Sequence, residues 1–262
     1  MKIAVAQISC FLGDIEANLR TIRRFAEQAA KSGAEMIVFP EMVDTGYSMA
    51  TIREHAAPWT EGALPRLRDM ARSLPLRIVC GLSERDGKAI YNSQVVVDRD
   101  GEVIAKYRKT HLFNAPPIAE NLCFTPGHSL VDFQLPPFRF GLSICYDLRF
   151  PEVYRKLATA HDVTAFMISS AWPFPRVEHF QTLARVRAIE NQSYVIAANR
   201  VGTDEGVTFC GSSVIIDPSG VVVAAASPDR EELIQADLSE EVLKSVRSRM
   251  DVLADRRVDL YK

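Results

Sequence analysis

No stretch of this sequence holds five or more consecutive charges of one sign, and the formal net charge is only -2. The basic stripe that a nucleic acid or another polyanion would need is missing. No apolar run approaches the roughly 20 residues that a membrane helix takes. The first residues, Met1-Lys2-Ile3-Ala4-Val5-Ala6-Gln7, turn polar too soon for a signal peptide. Cys10, Cys80, Cys123, Cys145 and Cys210 are odd in number, scattered, and form no Cys-x-x-Cys pair. That argues against a disulfide framework and a structural zinc site, and makes a reducing cytoplasm the expected compartment. His55, His111, His128, His161 and His179 show no ligand spacing, so neither a metal site nor a cofactor is expected.

What is present suits a folded chain of 262 residues with 47% apolar and 24% charged composition. This length allows one large domain or two small ones, and at this size about three quarters of the unfolded surface is buried. Lys2 to Ile8 reads as a strand. Asp14 can cap a helix with Ile15, Leu19, Ile22, Ala26, Ala29 and Ala30 on one face. Met36 to Phe39 suits a strand buried on both faces, followed by a helix over Leu64–Ser73 and strands over Arg77–Leu82 and Ala89–Val97. Phe140–Cys145, Val163–Ser169, Tyr194–Asn199 and Thr208–Ile216 read as strands, with helices over Pro151–Ala160 and Val177–Gln192.

The order repeats. Asp98-Arg99-Asp100-Gly101 joins two apolar runs as a hairpin, and Asp217-Pro218-Ser219-Gly220 does the same later. Two copies of a sheet with helices on one face leave two bare apolar faces. Packing these together gives an α/β fold of four layers, helix, sheet, sheet, helix, built from two similar halves. With no linker rich in Gly, Pro or Ser, residues 1–262 are read as a single domain. The irregular stretch from Leu112 to Val131 is long enough to expect a functional loop. After Leu238 the tail is polar and helical, then irregular.

Glu41, Lys109 and Cys145 each close a strand, where reactive groups gather in open sheets flanked by helices. A thiol near an ammonium and a carboxylate is a candidate nucleophile: the ammonium favours the thiolate, and the carboxylate can take the proton. Lys109 and the Tyr146 backbone N–H can hold the oxyanion formed on an amide carbonyl. Taken singly, each has a plainer reading: Cys145 as a buried hydrophobe, Glu41 as a loop acid, Lys109 as a surface charge. The other cysteines are assigned to packing, and a Cys-His hydrolase using His111 is a further option.

The local sequence around all three positions resembles the nitrilase superfamily of carbon–nitrogen hydrolases. Phe39-Pro40-Glu41 is similar to the motif around the general base. Lys106-Tyr107-Arg108-Lys109-Thr110-His111-Leu112-Phe113 resembles the lysine stretch. Gly141-Leu142-Ser143-Ile144-Cys145-Tyr146-Asp147-Leu148-Arg149-Phe150-Pro151-Glu152 resembles the nucleophile motif. Arg187 to Gln192 and Ala198 to Gly202 match more weakly. The resemblance spans the chain and implies the four-layer sandwich and a Glu-Lys-Cys triad at Glu41, Lys109 and Cys145. It also implies a second glutamate, Glu120, ahead of Phe124-Thr125-Pro126-Gly127, and a dimer through the helix after the nucleophile, Pro151 to Thr159.

Cys145-Tyr146-Asp147 looks like the amidase branch, and Cys-Tyr-Asp-Leu-Arg-Phe-Pro-Glu resembles the ω-amidases, which cleave the terminal amide of short dicarboxylic acid monoamides. Arg149 can bind a substrate carboxylate bidentately or hold an internal acid. Tyr47, Phe113, Tyr146 and Trp172 are candidate pocket walls or core aromatics, with the core favoured for Tyr47. N-carbamoyl compounds, aliphatic amides and nitriles remain as other substrates. A non-catalytic partner protein that kept the fold is the reading from a different class.

Overall fold

The computed structural model describes residues 1–260. Its first half runs β1 (Lys2–Gln7), α1 (Ile15–Lys31), β2 (Met36–Val38), α2 (Met49–His55), α3 (Ala63–Ser73), β3 (Arg77–Asp86), β4 (Ala89–Val97) and β5 (Val103–Arg108). The second half runs β6 (Asp132–Leu135), β7 (Phe138–Ile144), α4 (Pro151–Ala160), β8 (Ala165–Ser170), α5 (Val177–Asn191), β9 (Tyr194–Asn199), β10 (Val214–Ile216) and β11 (Val222–Ala225). β12 (Glu232–Asp237) and α6 (Glu240–Arg249) end it. Two six-stranded sheets result, ordered β12-β1-β2-β3-β4-β5 and β6-β7-β8-β9-β10-β11. In each, three parallel strands continue into two antiparallel ones, and one antiparallel strand guards the opposite edge.

The two hairpins show how closely the halves correspond. Gly101 donates its N–H to Asp98 O at 2.8 Å, and Gly220 to Asp217 O at 2.9 Å. Both glycines have positive φ, 75° and 84°, a conformation that a Cβ disfavours. The register slips at the same point in each, between Val96 and Val97 and between Ile215 and Ile216, as a bulge after such a turn requires.

Alternation then sorts the side chains into layers. From the first sheet, Ile3, Val5, Met36, Val38 and Val79 join Phe140, Leu142, Ile144 and Met167 of the second in one buried core. Ala4, Ala6, Ile37, Ile78 and Cys80 turn the other way, against Leu19, Ile22 and Phe25 of α1 and Leu64 and Leu67 of α3. Val153 and Leu157 of α4 and Phe180 and Ala184 of α5 cover the second sheet. Polar ties also cross between the sheets: Gln94 Nε2 donates to Ser169 Oγ at 2.9 Å, and that hydroxyl donates to Phe39 O at 2.8 Å.

Three features depart from the expected pattern. The strand expected over Thr208–Ile216 is broken. Gly211 and Ser212 take positive φ, 51° and 56°, and Val207–Thr208 pairs instead with Thr203–Asp204 in a separate ribbon. α2 was not expected; of its seven residues only Ile52 is buried, too little for a periodic signal. β12 returns to the first sheet and pairs with β1, so the halves are clasped together near the end of the described chain.

Candidate active site

Glu41 is placed by the turn after β2. Gly81 of β3 lies beneath that turn: a Cβ there would come within 2.6 Å of both Glu41 Cα and Pro40 O, so only glycine admits this approach. The Glu41 side chain is fully buried. Its Oε1 accepts from Lys109 Nζ at 2.9 Å and from Asn92 Nδ2 at 2.6 Å. Its Oε2 accepts the Ala171 N–H at 2.8 Å.

Lys109 follows β5 directly. Its N–H donates to Asn92 O at 2.8 Å, and its carbonyl takes the Gly127 N–H at 2.8 Å. Glu120 sits in a 3-10 turn inside the irregular loop. Its Oε1 accepts from Lys109 Nζ at 2.8 Å and from the Tyr47 hydroxyl at 2.5 Å, and its Oε2 takes the Phe113 N–H at 2.6 Å. The plainer readings of Lys109 as a surface charge and Glu41 as a loop acid are therefore overturned: both side chains have zero exposure.

Cys145 is the first residue past β7 and opens the 3-10 turn Cys145–Arg149. Its φ is 44°, a left-handed conformation that costs a non-glycine residue about 1–3 kcal/mol. Asp147 holds that turn. Its Oδ2 accepts the Ile144 N–H at 2.9 Å and the Tyr107 hydroxyl at 2.7 Å. Its Oδ1 accepts the His111 N–H at 3.1 Å and lies 2.8 Å from His111 Nδ1. This one carboxylate joins the nucleophile turn to the segment that carries Lys109. It also occupies His111, which stacks on Phe150 with centroids 3.8 Å apart.

The thiol of Cys145 feels the charges of Glu41, Lys109 and Glu120 together. Burial raises its pKa above the usual thiol range, Glu41 and Glu120 raise it further, and Lys109 opposes them. Lys109 thus favours the thiolate, as expected, while burial and the two carboxylates work the other way. For Lys109, burial alone would lower the pKa, but Glu120 and Glu41 outweigh it and hold the ammonium well above its ordinary value. Burial raises the Glu120 pKa, against the pull of Lys109.

Cys145 opens onto a narrow pocket. Tyr47, Phe113, Tyr146, Arg149 and Trp172, all nominated from the sequence, line it with Ile118, Ala171, Pro173 and Arg176. Tyr47 serves both as pocket wall and as core aromatic, against Phe209 at 5.9 Å between centroids. The Arg149 guanidinium lies 4.7 Å from the Trp172 centroid and donates to His179 Nδ1 at 3.2 Å. Arg176 lies 5.4 Å from the Phe113 centroid. Among the described residues neither guanidinium has a carboxylate partner, so Arg149 holds no internal acid. Asn92, Asp147, Arg176 and the Ala171 N–H were not named from the sequence. Asp147 lies inside the nucleophile motif, whereas a main-chain N–H leaves no mark on a sequence. Among the described residues no group of three His, Cys, Asp or Glu could hold a metal ion.

A sheet pair whose strand ends converge on a buried glutamate, lysine and cysteine defines a carbon–nitrogen hydrolase. The chain belongs to the carbon-nitrogen hydrolase family, whose model matches residues 2–248. It is 35% identical to the 2-oxoglutaramate amidase of Bacillus subtilis over 97% of this chain and 98% of that protein. It is 32% identical to the omega-amidase NIT3 of Saccharomyces cerevisiae over all of this chain and 94% of that one. Among solved structures, an amidase from Nesterenkonia superposes with a TM-score of 0.87 at 28% identity, covering 100% of this chain and 95% of that one. A mutant of that amidase carries acrylamide added to its active site cysteine.

Proposed function

We propose that the protein hydrolyses the terminal amide of short dicarboxylic acid monoamides through a thioester on Cys145, in the manner of an ω-amidase. The carrying observation is the buried Glu41–Lys109–Glu120 array acting on a thiol at the wall of a small cavity. A binding protein has no use for three desolvated charges around a cysteine, which tells against a non-catalytic role.

The hydrogen bonds support one route for the proton. A carboxylate oxygen has two lone-pair sites. Lys109 and Asn92 fill both on Glu41 Oε1, while Ala171 fills one on Oε2. The free site on Oε2 takes the thiol proton as Sγ bonds to the amide carbon. Lys109 Nζ and the Tyr146 N–H stabilise the resulting oxyanion; one such donor is typically worth about 10²–10³ in rate. The C–N bond then breaks, with the proton passing from Glu41 to the leaving ammonia. Glu41 next takes a proton from water as that water attacks the thioester. The C–S bond breaks, the proton returns to sulfur, and the acid leaves.

Arg149 and Arg176, cations at the same cavity with no carboxylate partner among the described residues, support a substrate with its own carboxylate at the far end. The relatives named for 2-oxoglutaramate and ω-amides favour the same class. N-carbamoyl compounds, uncharged aliphatic amides and, last, nitriles are the alternatives within this machinery. The interior shared by both sheets supports a single domain over 1–262. We also read a homodimer through α4, beside which α5 exposes Val186 and Ile189; sedimentation tests this. No described helix is long and apolar enough to cross a membrane, and a cytoplasmic location stays as the reading from cysteine usage.

The deciding experiment measures ammonia release from short monoamides with and without a distal carboxylate. Turnover is expected to favour the acids and to vanish in Cys145→Ala, with folding retained. Full activity in Cys145→Ala ends this reading.

A further inference from the structure

One buried asparagine touches every charged member of the array. Asn92 lies within β4 and is 1% exposed. Its backbone carbonyl accepts the Lys109 N–H at 2.8 Å. Its Nδ2 donates to Glu41 Oε1 at 2.6 Å and lies 3.4 Å from Glu120 Oε1. Lys109 Nζ bonds to those same two oxygens, at 2.9 and 2.8 Å. Two carboxylate oxygens are thus bridged twice, once by an ammonium and once by a neutral amide.

We propose that Asn92 is a positioning residue for the general base: its amide clamps Glu41 Oε1 against Lys109 and leaves Oε2 as the only oxygen free to exchange a proton. The ammonium alone is not enough. With the amide removed, Oε1 regains a lone-pair site and the carboxyl can take its proton on the wrong oxygen, locked away from sulfur. An aspartate at this position would add a third negative charge to the pair. A lysine or arginine would compete with Lys109 for the same oxygens. Asparagine supplies two N–H donors and no charge, and it is short enough to act from the strand itself. Asn92 does not line the cavity, so its effect is expected in proton transfer and not in substrate binding.

The inference rests on Glu41 acting as base, and the experiment separates the two. The probe is iodoacetamide, which reports how readily Cys145 gives up its proton whatever the true substrate. Alkylation of Cys145 is followed by mass spectrometry across pH in the wild type, Asn92→Ala and Asn92→Asp. A hydrogen bond to the charged form lowers a carboxyl pKa, so losing it moves the acid limb of the profile to higher pH. A shift of about one pH unit is expected for Asn92→Ala, and a larger one for Asn92→Asp, which keeps the shape of the side chain and serves if the alanine variant is poorly folded. On any monoamide the protein turns over, kcat should fall and KM stay within about twofold. Acid limbs that coincide with the wild type in both variants overturn the proposal, as does a loss confined to KM. If Glu41→Gln alkylates with the wild-type profile, the base assignment itself fails, and that result is distinct.

Discussion

Replacing Lys109 with methionine removes one charge and little volume, leaving Glu41 and Glu120 facing each other at zero exposure. Breaking a buried ion pair by deleting one partner costs about 3–5 kcal/mol. Domain stabilities run to about 5–15 kcal/mol, so the variant should still fold. At this chain length about 1 kcal/mol moves Tm by roughly 2–4 °C, which predicts a drop of about 10 °C near neutral pH. The pH dependence discriminates further. Glu120 already has a raised pKa from burial, with Glu41 adding and Lys109 opposing; without Lys109 it rises more. A carboxyl whose folded pKa lies above its unfolded value, about 4.3, loses stability as pH climbs past that value and regains it on acidification. Lys109 is raised instead, so its own contribution is constant until alkaline pH. The gap between variant and wild type should therefore be widest near pH 8 and shrink by about half near pH 5. Thermal melts by circular dichroism at fixed ionic strength read this out. Coincident melts at neutral pH, or a gap that does not change with pH, would refute the energetic coupling of the three groups.

Other outcomes follow from single contacts. Arg149→Leu and Arg176→Leu should each raise KM about 10–100-fold for acid-bearing monoamides, the worth of a charge-assisted hydrogen bond; an equal effect on uncharged amides would remove them from carboxylate binding. Gly81→Ala pushes a Cβ into the Glu41 backbone and should lower kcat at least tenfold with KM held, since a small misplacement near the chemistry has large effects; an unchanged kcat would show that the Glu41 turn gives way freely.

Sequence pattern went furthest where local rules act alone. The bounds of β4 and α4 follow from alternation and from Pro151 at the first helical position, and both hairpins from Asp-x-x-Gly. Glu41, Lys109 and Cys145 were legible because each ends a strand within a long motif. Asn92 was not: between Tyr91 and Ser93 it reads as one more residue of a strand. How strongly burial and the carboxylates oppose Lys109 at Cys145 was not legible either, because it depends on how many charges share the burial. The partner of β12 was hidden too, since nothing in a short run of residues says which distant edge it will close.

The array draws its carboxylates and ammonium from the first half of the chain and its sulfur from the second. The seam between the sheets is thus itself the reaction centre, and neither half owns an activity. A slip of one sheet over the other by a single residue, about 3.3 Å, would part the acid-base pair from the nucleophile while leaving both cores intact. β12 follows the whole second sheet and pairs with β1, and so ties the half that carries the sulfur to the half that carries its acid and base.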